Sequence, residues 1–151
     1  MTIIAYKHGV MVADGWEVTG LLHKPCDVGK IRRVSDGGLI GVAGSAVDCE
    51  AALAWFQTVR DPAQYPELRN GIGADGEIDA LWAKPDGTIW RSGIGLKTWH
   101  RQSGSCAVGS AWLVAEPLML AGQSAQQAVE FCCANCVGIG GDIQVERVAR
   151  V

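Results

Sequence analysis

The residue with the clearest chemical use is the second one. Thr2 follows Met1 and opens a short apolar run. We expect Met1 to be trimmed because threonine is small, which would leave Thr2 with a free α-amine beside its hydroxyl, a nucleophile and a base on one residue. Asp14 ends a second apolar run, Lys30 precedes a basic segment, and Gly41 lies inside a third run. If Met1 were retained, Thr2 would lack the amine and this chemistry would fail.

These residues lie in or beside segments that read as β-strands and tight turns. His8-Gly9, Asp36-Gly37-Gly38 and Pro85-Asp86-Gly87 are turn sequences that predict three hairpins. The predicted strands are Thr2–Lys7, Val10–Asp14, Lys30–Val34, Leu39–Ala43, Asp79–Lys84, Thr88–Arg91, Leu96–Trp99, Ser105–Val108 and Ile143–Val148. The segments 15–29 and 60–77 are rich in glycine and proline, and we expect them to form loops.

Three helices are predicted between the strand blocks. The first begins at Ser45, where Asp48 completes a capping box, and its apolar periodicity stops before Pro62. The second covers about Ser110–Ala121. The third runs from Ser124 to about Cys136, with Gln127 in the capping-box position. Antiparallel hairpins with helices after each strand block indicate an α+β fold rather than a wound parallel sheet.

Composition excludes several classes of function. The chain has 151 residues and a net charge of -3 with interspersed charges, which suits one globular domain and argues against a nucleic-acid-binding surface. No segment approaches the roughly 20 apolar residues of a membrane span, so we expect no membrane association. The N-terminus lacks the features of a signal peptide, which predicts a cytoplasmic location.

Six cysteines raise the question of disulfides or metal. Without an export signal, reduced thiols are the expectation. Cys132, Cys133 and Cys136 are clustered, but a zinc site needs four ligands, and no further cysteine or histidine lies at a suitable spacing. Buried free thiols are therefore expected, with no metal or organic cofactor.

Six short motifs, in order along the chain, resemble those of proteasome β-subunits, in particular the HslV-type proteasome-like peptidases of the N-terminal-nucleophile (Ntn) hydrolases. The motifs are Met1-Thr2-Ile3-Ile4, Val12-Ala13-Asp14-Gly15, Gly29-Lys30-Ile31-Arg32-Arg33, Ile40-Gly41-Val42-Ala43-Gly44-Ser45 with Asp48, Ala107-Val108-Gly109-Ser110 and Gly141-Asp142-Ile143. The resemblance covers most of the chain. It implies one domain over residues 1–151 with a four-layer αββα sandwich, in which two antiparallel sheets lie face to face with helices outside.

The resemblance also implies a role for each candidate residue. Thr2 corresponds to the nucleophile, and Lys30 to the lysine that stabilises the deprotonated hydroxyl and favours a neutral amine. Asp14 corresponds to the carboxylate that holds this lysine. Gly41 corresponds to the residue whose N–H forms the oxyanion hole, and Ser110 to a serine that hydrogen-bonds near the terminal amine. General chemistry agrees, because an ammonium pushes a neighbouring amine toward its neutral form and a main-chain N–H stabilises a developing oxyanion.

The function implied is that of a threonine peptidase that cleaves peptides or unfolded proteins through an acyl-enzyme ester. The resemblance further implies a homo-oligomeric ring and an ATP-dependent unfoldase as a partner, although no docking tail is identifiable. The apolar content, including six tryptophans, is consistent with buried interfaces between subunits.

Two other functions stay open at this point: a catalytically inactive subunit of the same fold with an assembly role, and an Ntn amidohydrolase that acts on a small amide. Each site residue also has an ordinary explanation. Lys30 could be one of three solvated basic residues around Ile31, Gly41 could mark close packing of two strands, and Ser110 could be a helix N-cap.

Overall fold

The chain forms three antiparallel sheets and three helices in the residues that the computed structural model describes, which are 1–19, 22–26, 29–58, 78–92, 96 and 99–149. The strands are β1 Ile3–Lys7, β2 Val10–Ala13, β3 Trp16–Thr19, β4 Leu22–Pro25, β5 Ile31–Arg33, β6 Leu39–Ala43, β7 Asp79–Ala83, β8 Ile89–Ser92, β9 Trp99–Gln102, β10 Cys106–Gly109 and β11 Gln144–Arg147. The helices are α1 Ala46–Thr58, α2 Trp112–Leu120 and α3 Ala125–Asn135.

The first sheet has four strands in the order β10-β1-β2-β11. Its central hairpin turns at His8 and Gly9, whose positive φ angles of 49° and 81° suit a two-residue hairpin, because such turns match the right-handed twist of the flanking strands. The predicted hairpin is therefore confirmed. Thr2 lies directly before β1, and Asp14 lies directly after β2. Because these strands pair antiparallel, with Ile4 opposite Ala13, Thr2 and Asp14 lie at the same end of the sheet.

The second sheet has five strands in the order β5-β6-β7-β8-β9. The two other predicted hairpins, β5–β6 and β7–β8, are confirmed here. Strand β6 is buried along its whole length, which explains why its sequence is an unbroken apolar run. Lys30 directly precedes the edge strand β5.

A third, two-stranded sheet corrects the prediction of a loop over residues 15–29. Strands β3 and β4 pair antiparallel, with Trp16 opposite Pro25. The hairpin is joined to the rest of the chain at its base, where Cys26 N–H donates to Gly15 O at 2.8 Å and Trp16 packs against Gly140. Glycine and proline punctuation predicted a loop, but Trp16 packs against Gly140 and Gly141, which are distant in sequence.

Two other predictions on element bounds are wrong. The strand predicted over Leu96–Trp99 begins instead at Trp99, because Leu96 has a φ of 65°, which no strand residue adopts. The second helix begins at Trp112 rather than Ser110, with Ala111 at the N-cap. The predicted loop over 60–77 and the helix end before Pro62 lie outside the described residues.

The predicted starts of α1 and α3 agree with the structure. Ser45 Oγ accepts from Asp48 N–H at 3.3 Å, and Ser124 and Gln127 form a complete capping box. Among the described residues, no helix is long and apolar enough to cross a bilayer.

Three buried clusters hold the elements together. Alternate residues of β1 point to opposite faces of the first sheet, so Ile3 and Ala5 pack against α2 and α3, whereas Ile4 and Tyr6 pack against the second sheet. In β6, Leu39 and Ala43 face the first sheet. The other face of the second sheet packs against α1 through a cluster that contains Ile40, Val42, Leu53 and Phe56. The two sheets therefore face each other, and each has helical residues on its far face.

The tryptophans do not provide the exposed apolar surface that was expected of them. Trp82 and Trp99 pack edge-on against Phe56, with ring centroids 5.5 Å and 5.6 Å away, and Trp55 is buried with them. The exposed large apolar residues in the described part of the chain are Met1, Leu22, Val47, Leu113, Leu120, Phe131, Val137 and Val145. An apolar interface would involve these residues.

Lys7 generates a prediction about the stability of this scaffold. Its ammonium donates to Met119 O at 2.7 Å and Gln123 O at 2.8 Å. It therefore pairs main-chain carbonyl groups at and just beyond the C-terminal end of α2, where a positive charge is favourable. A Lys7→Met variant keeps the aliphatic stem but loses both charge-assisted bonds. We expect its free energy of unfolding, measured with urea, to fall by about 1.5–3 kcal/mol.

The matched control is Lys24→Met, which removes an exposed lysine whose ammonium lies 3.5 Å from the carboxylate of Glu17. Exposed ion pairs are worth about 0–1 kcal/mol, so this variant should be nearly unchanged. Equal losses in the two variants would contradict the role given to Lys7.

Candidate active site

Lys30 connects two of the predicted site residues by direct hydrogen bonds. Its Nζ donates to Thr2 Oγ1 at 3.0 Å and to Asp14 Oδ1 at 2.7 Å. Asp14 is 1% exposed and Lys30 is 8% exposed, so the ion pair is buried while Thr2 is half-buried beside it. The arrangement places the Lys30 ammonium within hydrogen-bond distance of the Thr2 hydroxyl.

Asp14 is held from two directions. Its Oδ1 also accepts from Ile3 N–H at 3.0 Å, and its own N–H donates to Ile3 O at 3.2 Å. The carboxylate is thereby fixed against the residue that follows Thr2. The second oxygen, Oδ2, is buried and has no hydrogen-bond partner among the described residues. Since an unpaired buried acceptor is costly, the ion pair with Lys30 must offset part of the desolvation of this carboxylate.

These observations correct one of the ordinary explanations. Lys30 is not one of a set of solvated basic residues, because its side chain is buried against Asp14. Arg32 and Arg33, its neighbours in the basic segment, instead contact the exposed carboxylates of Glu50 and Glu146. The basic segment therefore contains one buried lysine and two arginines that form ion pairs at the surface.

Ser110 lies next to Thr2 and is not a helix cap. The pairing of β1 with β10 sets Ile3 opposite Gly109, which brings Ser110 alongside Thr2. Ser110 Oγ donates to Thr2 O at 3.4 Å. The interpretation of Ser110 as an N-cap is wrong, because Ala111 occupies that position with no side-chain cap.

Gly41 is the one predicted site residue that the structure does not bring to Thr2. It lies inside the interior strand β6, opposite Ile31 on one side and Leu81 on the other. Val42 N–H donates to Lys30 O, on the β5 side, so by strand alternation the Gly41 N–H points toward β7. A Cβ on Gly41 would lie 2.8 Å from Ile4 Cγ2 and 3.0 Å from Met11 Sδ. Gly41 thus allows the two sheets to approach closely.

Gly44 has the location that was expected of Gly41. It follows the last residue of β6, where the strand ladder ends, and has a φ of 151°. Gly44 and Thr2 together line two clefts. The sequence contained a signal for Gly44, since it belongs to the same motif, Ile40 to Ser45, from which Gly41 was chosen.

The first of these clefts is a cavity of about 290 Å³ with the Thr2 and Lys30 side chains at one end. Its wall includes apolar groups from Trp16, Val42 and Leu53. Cys49 also lines it, and burial raises the pKa of this thiol to about 12, although the charge of Lys30 opposes the shift. Cys49 is therefore a neutral, weakly polar wall residue at pH 7. No local pattern in the sequence marks Cys49 as a wall residue.

The second cleft, of about 490 Å³, is lined by Thr2 together with Ser110 and Trp112. Met1, Thr2 and Gly44 line both clefts. Thr2 is therefore accessible from both open spaces.

The cysteines form no metal site in the part of the chain that is described. All six are free thiols, and no group of three or more His, Cys, Asp or Glu side chains among those residues could hold a metal ion. In α3, burial raises the pKa of the Cys132 thiol to about 12, which keeps it protonated at neutral pH.

Comparison with known proteins identifies the fold. The structure is similar to that of Thiobacillus denitrificans BPH in complex with epoxomicin, with a TM-score of 0.71, 19% sequence identity and 98% coverage of both chains. It is also similar to the crystal structure of eukaryotic HslV from Trypanosoma brucei, with a TM-score of 0.66, 19% identity and coverage of 97% of this chain and 98% of that one. No protein-family model and no curated protein matches the chain in sequence. The chain therefore has a proteasome/HslV-like fold.

The buried pair of Asp14 and Lys30 generates a prediction that does not depend on activity. Removing one partner leaves the other charge buried and uncompensated, so Asp14→Asn and Lys30→Met should each lower the free energy of unfolding by about 3–5 kcal/mol. The double variant should lose clearly less than the sum of the two, because neither charge then remains. Urea denaturation of the four proteins measures this coupling.

The exposed pair of Glu17 and Lys24 is the control for that cycle, because its side chains are 30% and 61% exposed. Glu17→Gln and Lys24→Met should couple by about 0–1 kcal/mol. Additive losses for Asp14 and Lys30 would show that the two side chains do not act as a pair.

Proposed function

We propose that this protein is a threonine peptidase of the proteasome/HslV-like type, with Thr2 as its N-terminal nucleophile. The observation that carries the proposal is the contact of Lys30 Nζ with both Thr2 Oγ1, at 3.0 Å, and Asp14 Oδ1, at 2.7 Å. A buried cation on a threonine hydroxyl serves little purpose in packing, but it stabilises an alkoxide. The similarity to HslV from Trypanosoma brucei in fold supports the same reaction class.

The proposal includes the architecture and extent of the domain. We take residues 1–151 as one domain with a four-layer αββα arrangement. The support is the alternation of the three buried clusters, which lie between helices and the first sheet, between the two sheets, and between the second sheet and α1.

The reaction would begin with cleavage of the bond between Met1 and Thr2. The free α-amine of Thr2 then takes the hydroxyl proton while Oγ1 attacks the substrate carbonyl. The tetrahedral intermediate collapses, and the protonated amine returns its proton to the leaving amine of the substrate. The amine next removes a proton from water as the water oxygen attacks the ester carbon. The bond from that carbon to Oγ1 then breaks, the protonated amine returns the proton to Oγ1, and the acid is released.

The other site residues would act on charge and position. Lys30 stabilises the forming alkoxide and disfavours a second positive charge on the neighbouring amine. Asp14 holds Lys30. The Ser110 hydroxyl, which contacts Thr2 O, would hydrogen-bond near the α-amine of Thr2. We assign the oxyanion N–H to Gly44 instead of Gly41, because Gly44 lines the clefts beside Thr2 and Gly41 is embedded in the sheet.

The substrate would be a peptide or an unfolded protein segment that lies across Thr2. The apolar wall of the 290 Å³ cavity suits an uncharged side chain next to the scissile bond. The proposal requires no cofactor. We further propose that the protein is cytoplasmic, forms a homo-oligomeric ring and works with an ATP-dependent unfoldase. The support is the fold similarity together with the exposed apolar residues.

Whether Met1 is removed decides between an active peptidase and a catalytically inactive subunit. Met1 is 56% exposed, so a processing enzyme could reach it, and it lines both clefts. While it remains attached, Thr2 has no free amine and the clefts are partly filled. An inactive assembly subunit would keep Met1.

An epoxyketone tests the proposal. A peptide epoxyketone such as epoxomicin offers two electrophilic carbons, and a processed Thr2 offers a hydroxyl and an amine on one residue. We expect intact-mass measurement of the native protein to show loss of Met1 and, after incubation with epoxomicin, one adduct that maps to Thr2. Thr2→Ala is the control and should acquire no adduct.

The alternatives predict other results. Retained Met1 with no adduct would identify an inactive subunit. Loss of Met1 with an adduct, but turnover of small amides and not of peptides, would identify an amidohydrolase.

Assembly gives a separate prediction. Light scattering of the purified protein at micromolar concentration should give a molar mass that is a multiple of the 16.0 kDa chain. The exposed apolar residues of the described surface would be covered in such an assembly. A stable 16.0 kDa monomer would contradict the ring.

A further inference from the structure

The side chain of Gln144 joins the two sheets at the position of Lys30. Its Oε1 accepts from Lys30 N–H at 2.9 Å and from Ile31 N–H at 3.1 Å, and its Nε2 donates to Ile31 O at 3.0 Å. Gln144 belongs to β11, an edge strand of the first sheet, and Ile31 begins β5, an edge strand of the second. One amide thereby supplies three hydrogen bonds to main-chain groups that have no neighbouring strand on that side.

The orientation of this amide follows from its partners. Oε1 faces two N–H donors, and Nε2 faces a carbonyl oxygen. A flipped amide would direct its NH₂ at two donors and its oxygen at an acceptor, which would lose all three bonds. The side chain therefore has one arrangement that satisfies the edge of β5.

The consequence for the site comes from the topology. Thr2 and Asp14 belong to the first sheet, whereas Lys30 enters from the second, so the bonds of Lys30 cross between sheets. Gln144 pairs with Ala13, the residue before Asp14. The amide thus fixes the main chain of Lys30 relative to the strand that ends at its ion-pair partner.

Gly29 shows how closely the amide fits. A Cβ on Gly29 would lie 2.7 Å from Gln144 Oε1, and the φ of Gly29 is +70°. A side chain at position 29 would displace the Gln144 amide from its three partners, and the positive φ also favours glycine there.

We infer that Gln144 is a positioning residue for the proposed reaction, one that acts through Lys30 by holding its main chain against the first sheet. This inference rests on the proposed function. Without the amide, the N–H groups of Lys30 and Ile31 would turn to water, and the Lys30 ammonium would no longer be fixed on Thr2 and Asp14. Gln144 itself lines neither of the two clefts beside Thr2 and reaches the site only through Lys30 and Ile31, so its effect is on geometry and not on substrate binding.

The test compares Gln144→Met, which keeps the length of the side chain and removes its polar atoms, with the wild type and with Glu146→Met. Glu146 is a matched control because it lies two residues along β11 and also contacts β5, through Arg33 at 3.4 Å, away from Lys30. Inactivation by epoxomicin is followed by intact mass and normalised to folded protein. We expect the maximal inactivation rate of Gln144→Met to fall about tenfold to a hundredfold, with the half-saturating concentration unchanged, because displacements of about 1 Å have effects of this size. Glu146→Met should react like the wild type.

Crystal structures of the wild type and Gln144→Met give a second readout that needs no activity. The inference expects Lys30 Nζ to leave hydrogen-bond distance of Asp14 Oδ1 or Thr2 Oγ1 in the variant. An unmoved Lys30, or a variant that reacts at the wild-type rate, would overturn it. If the wild type never reacts but Lys30 moves in the variant, the proposed function fails and the positional role of Gln144 stands. Should Gln144→Met not fold, Gln144→Asn, whose amide is too short to bridge, is subject to the same two readouts.

Discussion

A buried ion pair that must form across two sheets holds the candidate site together. Lys30 enters from the second sheet and Asp14 from the first, and their side-chain atoms meet 2.7 Å apart with almost no solvent access. A pair in this environment repays its desolvation only when its geometry is well fixed. The scaffold provides that geometry through Ile3 N–H on Asp14, Gln144 on the main chain of Lys30, and an apolar cluster between the sheets. Thr2 is then placed against a cation whose position it does not have to determine.

Close approach of the sheets is the second requirement, and Gly41 meets it. A side chain at this position would collide with Ile4 and Met11, and the sheets would separate where Lys30 has to reach Asp14. The ordinary explanation weighed for Gly41, that two strands pack closely there, describes its place in the structure. Gly41 can thus matter to the site through packing, while another glycine of the same motif, Gly44, lines a cleft together with Thr2.

The sequence predicted best what depends on local patterns. Hairpins marked by His8-Gly9 or Pro85-Asp86-Gly87, and the capping box of Ser124, need only neighbouring residues, and all are present. The strand that begins at Trp16 was predicted as a loop, because Trp16 packs against Gly140, more than a hundred residues away in sequence. The contacts of Lys30 with Thr2 and Asp14 agree with the resemblance, but Gln144 carries no signal of its own. Its importance comes from the pairing of β11 with β2, which no local pattern specifies.

The geometry around Thr2 also explains why processing would act as the switch. In the chain with Met1 attached, Lys30 donates to the Thr2 hydroxyl, and Asp14 and Ile3 are already in their bonded positions. A lysine ammonium has no lone pair and cannot remove the proton of the hydroxyl, and the Asp14 oxygen next to Lys30, Oδ1, already accepts from Lys30 and Ile3. The set of residues is therefore complete except for a base. In the proposed reaction, cleavage after Met1 would supply that base as the α-amine of Thr2 itself and would remove Met1 from the lining of both clefts. A site built in this way can be assembled and buried before any residue in it is able to react.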